Sequence, residues 1–102
     1  MERSLKPGRP TGSRTFEPEA GRAFGAVIRQ HRTEMGISQE ELGLLAQIER
    51  SHMGKIERGQ HLPNLALILR LASALKTTPG GLVDLAAAQL AGGGEGPPPR
   101  QG

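Results

Sequence analysis

Arg50, Ser51 and Lys55 are the residues of this chain whose types and spacing best suit a chemical role, and that role is hydrogen bonding to an external polyanion. On a helix, Ser51 and Lys55 stand four residues apart and share a face, with Arg50 at its flank. Arg and Lys pair with O6 and N7 of guanine, each good contact being worth about 1 to 3 kcal/mol of discrimination. Glu49, just before them, could accept from cytosine N4, and Gly54 could let the backbone approach a groove closely. If Arg50 and Lys55 touch only phosphates instead, the polyanion remains the partner and sequence preference is lost.

These side chains need a short helix to carry them, and the chain supplies its start and stop signals. Ser38 and Glu41 form a capping box, with Ile37 and Leu42 at the staple positions. A second start falls at Glu49, where Ile48 and Met53 are placed to fasten the entry angle. Gly59 can close the second helix in the left-handed conformation, just after Arg58 has put positive charge at the carbonyl end. The spacing therefore predicts two helices, Gln39 to Ala46 and Arg50 to Arg58, joined at a tight turn. Leu42, Ala46, Ile48, Met53 and Ile56 are their inward residues. Such a pair can lay its second helix in the major groove of DNA.

Three further helices complete an all-α chain. One is expected from near Glu19 to Met35, with a stripe of Phe24, Val27, Ile28 and Met35 and a stop at Gly36. Asn64 caps the next, whose Leu65, Ile68, Leu69, Ala72 and Leu75 recur at helical spacing. Thr78 caps the last, with Pro79 at its first position. Its Leu82, Val83, Leu85, Ala86 and Leu90 are more apolar than one packed side of so short a helix requires, so this helix is the expected dimer element.

Composition narrows the classes. A chain of 102 residues with Gly- and Pro-rich flanks holds one small core. The expected division is a flexible basic arm at 1–16, a domain at 17–90 and a tail at 91–102. The net charge is +3, concentrated in the arm, where Arg3, Lys6, Arg9 and Arg14 face only Glu2. The absence of cysteine excludes disulfides and thiolate chemistry. No apolar run reaches the length of a membrane span and no signal peptide is evident, so a cytoplasmic protein is expected. Gly92 to Gly96 lacks the Gly-Lys-Ser/Thr that a phosphate loop requires, and the three histidines have no ligand spacing. Neither an enzyme, nor a metal site, nor a cofactor or small-molecule ligand is expected.

The run SQEELGLLAQIERSHMGKIERG, residues 38 to 59, resembles the helix-turn-helix of Cro/repressor-type proteins, also called the XRE family, with every spacing preserved. The resemblance spans about Phe24 to Leu85. It implies a compact five-helix, lambda-repressor-like domain that binds double-stranded DNA. By the same resemblance Gln39, beside Ser38, clamps the DNA backbone, while Arg58, Gln60 and His61 lie in a loop held against sugar and phosphate; His52 could also reach phosphate. Arg32 and Glu57 correspond to a buried ion pair joining the first helix to the end of the second motif helix. The implied role is a transcriptional regulator, a repressor acting as a homodimer on a pseudo-palindromic operator. The alternative is an antitoxin or restriction-modification controller that also binds a toxin or other protein partner.

The chain departs from that pattern at several points. Gln47 stands where a turn glycine is usual, so the turn is either strained or reshaped. Gly54 weakens the second helix by about 1 kcal/mol relative to alanine. Glu49 replaces the usual small capping residue. Leu44 and Leu45 replace polar residues and suggest extra burial, within the domain, under Phe16 of the arm or against another protein. His31 is expected as a satisfied boundary residue. In the arm, Gly8-Arg9-Pro10 resembles the core of an AT-hook, which makes Lys6 and Arg9 candidates for a narrow minor groove, against the alternative of incidental charge.

Overall fold

The structure, a computed structural model, describes residues 17–92. The arm with Lys6, Arg9 and Phe16, and the tail beyond Gly92, lie outside the described residues. The order is α1 (Pro18–Met35), α2 (Gln39–Ala46), α3 (Arg50–Glu57), α4 (Leu65–Ala74) and α5 (Pro79–Gly92), with no strand among the described residues. The last helix runs two residues past the expected end of the domain.

Local signals set these boundaries. Ser38 Oγ accepts from the Glu41 amide at 3.0 Å while Glu41 Oε1 accepts from the Ser38 amide at 2.8 Å, which completes the capping box. Asn64 Oδ1 accepts from the Leu67 amide, and Thr78 Oγ1 from the Gly81 amide. Gly36 and Gly59 both take positive φ, 75° and 77°, so each reverses the chain where a Cβ would be strained. Glu49 precedes α3 without a side-chain capping bond. Ile48 and Met53, on either side of that start, are both buried.

Phe24, Val27, Ile28, Leu42, Met53 and Ile56 meet Leu71 and Leu82 in one core. Three expectations about inward faces need correction. Met35 is exposed; beyond the Gly36 reversal, Ile37 packs against the core in its place. On α4, Leu65 and Leu69 face outward, whereas Leu71 is fully buried and Leu67 packs at the core edge. That helix is apolar around most of its circumference, so spacing alone could not orient it. Arg70 ties it to the end of α2: its Nε donates to the Ala46 carbonyl at 3.0 Å and its Nη2 to the Gln47 carbonyl at 3.5 Å.

The third correction concerns α5. Leu82 and Ala86 are buried within the chain and cannot be dimer contacts, because they fill the seam between α5 and the rest of the core. Val83, Leu85 and Leu90 are exposed. Val83 and Leu90, seven residues apart, share a flank, while Leu85 stands about 160° around the helix from Val83. Leu44 and Leu45 are also exposed, at 75% and 59%, so the domain itself does not bury them.

The turn between α2 and α3 keeps its shape at the expense of Gln47. That residue sits at φ 61° and ψ 47°, the left-handed region, with the Ile48 amide donating to the Gly43 carbonyl at 2.8 Å. Lys76, after α4, is a second non-glycine residue at positive φ, which the sequence reading missed. The strain at Gln47 yields a prediction. Gln47→Gly raises the stability of the domain by about 1 kcal/mol in urea or thermal denaturation, because glycine removes the Cβ penalty and gives part of the gain back as unfolded-state entropy.

Candidate nucleic-acid interface

α3 is only eight residues long, and its two sides do different work. Met53, Ile56 and Glu57 point inward and are buried, while Arg50, Ser51 and Lys55 are exposed. Among the described residues, neither Arg50 nor Lys55 makes a side-chain hydrogen bond or ion pair. Their donors are therefore free for an external acceptor. Glu49, one residue earlier, is exposed as well.

The inward side ends in the carboxylate of Glu57, whose side chain is 2% exposed. Arg32 Nε donates to its Oε2 at 2.6 Å and Nη2 to its Oε1 at 3.1 Å, a bidentate pair from α1 to α3. The remaining nitrogen, Nη1, donates to the Ile37 carbonyl at 2.8 Å and so fixes the link into α2. Hydrogen bonding to Glu57 raises the Arg32 pKa, overcoming burial, which acts the other way. Gln39 Nε2 also donates to Glu57 Oε1, at 3.0 Å. The residue implied as a backbone clamp is thus itself held by the buried pair. Its position at the first turn of α2 followed from the capping box; its bond to Glu57 had no signal in the sequence.

The loop after α3 brings the other candidates together. Arg58 Nε donates to Gln60 Oε1 at 3.2 Å. His52 and His61 meet edge to face, ring centroids 4.4 Å apart and planes at 78°. Burial lowers the His52 pKa, helped by the charges of His61 and Lys55 and opposed by Glu49. Gly59, beyond its left-handed φ, leaves no space for a side chain, since a Cβ would lie 2.7 Å from Arg22 Cα on α1. That close approach fastens the loop to the first helix and was not legible from composition.

Two expected roles change. Gly54 is buried, so it does not present bare backbone to a groove; Arg58 Nη1 would lie 3.0 Å and Gln39 Oε1 3.6 Å from a Cβ placed there. Ser38 keeps its hydroxyl in the capping bond to Glu41, which leaves only its proton for a phosphate. His31 is satisfied as expected, with Nδ1 3.0 Å from the Val27 carbonyl, so Nδ1 carries the donated proton. Among the described residues no group of three His, Asp or Glu side chains is placed to hold a metal, and no helix is long and apolar enough to cross a membrane.

Removing one partner of a buried pair leaves the other uncompensated, at a cost of roughly 3 to 5 kcal/mol. Glu57→Ala therefore unfolds near physiological temperature and loses any ligand through that route; an unchanged melting temperature would refute this account. The His52 environment sets a pH dependence. Because the folded state disfavours its charged form, the unfolded chain takes up the proton first as pH falls below the ordinary 6.5. Stability present above that value is lost as pH falls through it towards the folded pKa, and His52→Gln flattens this loss in melting curves taken between about pH 7 and 5.

Comparison with known proteins places this geometry in context. The helix-turn-helix domain family matches residues 23–86. A protein of Methanothermobacter thermautotrophicus, named an uncharacterized HTH-type transcriptional regulator, is 41% identical over 49 residues, covering 48% of this chain and 71% of that protein. The crystal structure of the restriction-modification controller protein C.AhdI from Aeromonas hydrophila matches with a TM-score of 0.60 and 44% identity, covering 61% of this chain and 94% of that one. The P22 c2 repressor, in a crystal structure with synthetic operator 9T, matches with a TM-score of 0.55 and 30% identity, covering 58% of this chain and 89% of that one.

Proposed function

We propose that this chain, which belongs to the helix-turn-helix domain family, is a sequence-specific transcriptional repressor that binds a pseudo-palindromic operator as a homodimer. Its fold is the five-helix, lambda-repressor-like domain of Cro/repressor-type regulators. The observation that carries the finer reading is the outward side of α3, where Arg50, Ser51 and Lys55 are exposed and the two cations are unengaged among the described residues. With α3 in the major groove, Arg50 and Lys55 select guanine and Ser51 and Glu49 adjust the neighbouring positions. Gln39, Arg58, Gln60, His61 and His52 flank that helix and act on phosphates, setting register without reading bases. The site of action is the cytoplasm.

One α3 spans a half-site of roughly 4 to 6 base pairs, which argues for a symmetric pair of domains with half-sites about 34 Å apart. The exposed residues of α5, Val83, Leu85 and Leu90, are the proposed contacts between copies; Val83 and Leu90 supply one flank. The arm with Lys6 and Arg9 is proposed as an accessory minor-groove contact.

A second reading has its own support. The 44% identity to a restriction-modification controller favours the same DNA chemistry used to time an operon. In that case, or in an antitoxin, exposed Leu44 and Leu45 offer a partner-binding patch on α2.

Selection of bound duplexes from a random pool at about 0.15 M salt, where loose phosphate binding is already weakened, tests the main reading. The expected product is a guanine-containing inverted repeat, and Arg50→Ala then relaxes preference at one position of each half-site with a loss of about 1 to 3 kcal/mol. Recovery of no sequence in preference to another would overturn sequence-specific recognition.

A further inference from the structure

Gly54 differs from Gly25 and Gly43, the two helical glycines set against a crossing backbone, in what encloses it. A Cβ on Gly25 would collide with the Ile56 carbonyl oxygen, and one on Gly43 with the Ile48 carbonyl oxygen. Both glycines are there because two backbones cross. Around Gly54 the near atoms are side-chain ends instead: Arg58 Nη1 at 3.0 Å and Cζ at 3.7 Å, and Gln39 Oε1 at 3.6 Å, from the position a Cβ would take. Packing against the core does not require a glycine at this position, and helix propensity disfavours one.

What the missing side chain creates is a seat. Arg58, one turn later, folds its guanidinium back over Gly54, near which Gln39 Oε1 also lies, and donates from its Nε to Gln60 Oε1 at 3.2 Å. Gln39 is itself fixed, through its amide nitrogen, to the buried Glu57. The chain of bonds from Arg32 through Glu57 to Gln39 thus ends beside the same Gly54 position that the exposed Arg58 covers, and the terminal nitrogens of Arg58 have no acceptor among the described residues. A guanidinium offers a planar fork suited to phosphate, and holding it in place reduces the freedom lost when it binds.

We infer that Gly54 is a positioning residue for Arg58, seating its guanidinium so that the fork meets the DNA backbone beside the recognition helix. This rests on the DNA-binding reading above. It departs from the sequence expectation, in which Gly54 itself approached the bases.

The test is a cycle of Gly54→Ala, Arg58→Ala and the double variant, each measured against the selected duplex and an unrelated one over a salt series, with melting curves alongside. Arg58→Ala weakens both duplexes about fivefold at 0.15 M salt, the factor that a slope of about 0.9 per phosphate implies relative to 1 M, and lowers the salt slope by about one. Gly54→Ala weakens both duplexes in the same direction by about two- to fivefold while melting no lower than the parent, because alanine favours the helix and the obstructed atom is the end of a flexible side chain. The double variant binds no more weakly than Arg58→Ala alone. Equal losses from Gly54→Ala with and without Arg58, or no loss at all, would overturn the inference. The Arg58 Nε–H resonance reads the seat without DNA: it should be ordered in the parent and averaged in Gly54→Ala. An ordered guanidinium in a parent that binds no duplex would sink the DNA reading alone, whereas equal disorder in both proteins would sink the seat.

Discussion

The carboxylate of Glu57 is held almost out of water at the junction of three helices, and the geometry of the proposed DNA-facing side hangs from it. Arg32 reaches it from α1 with two nitrogens, Gln39 reaches it from α2 with one, and α3 carries it. A third Arg32 nitrogen takes the Ile37 carbonyl, so the α1–α2 link is drawn into the same knot. Desolvating two charges offsets much of their attraction, and such a pair adds little net stability when intact. Its effect here is geometric: directional bonds to one buried carboxylate join α1, α2 and α3.

From that junction outward, the motif separates what fixes α3 from what α3 offers. Met53 and Ile56 secure it in the core, and Ile48 fastens its entry. The tight turn before it depends on Gln47 tolerating the left-handed conformation, with Arg70 of α4 binding the carbonyls at the end of α2. The strain of that turn is local, while the bonds that hold it come from a helix some twenty residues away in sequence. Arg50, Ser51 and Lys55 are left projecting from a rigid support, which is what a groove-reading surface needs.

Much of this was legible beforehand because capping is a local event. Ser38, Asn64 and Thr78 each act on an amide three residues ahead, and Gly36 and Gly59 stop helices through their own φ angles. The outward set on α3 was legible for a related reason, since a short helix with Met53 and Ile56 inward has only one side on which to place 50, 51 and 55. Less legible were the faces of α4 and α5, both apolar around most of their circumference. There periodicity admits more than one orientation, and Leu65, Leu69, Leu82 and Ala86 all took the orientation opposite to the one expected.

By itself, then, the sequence determined where helices begin and end, which pair forms the motif and which cations lead its second helix, because each depends on neighbours within about one turn. Only the tertiary structure decided that Arg70 ties α4 to the end of α2, that Gln39 is anchored to Glu57, that Gly54 lies beneath Arg58 and that Gly59 presses on Arg22. Those contacts join residues from different helices or loops, or depend on which rotamer a long side chain selects. Their energies come from shared burial and charge pairing at a distance in the chain, and no local pattern of residue types records them.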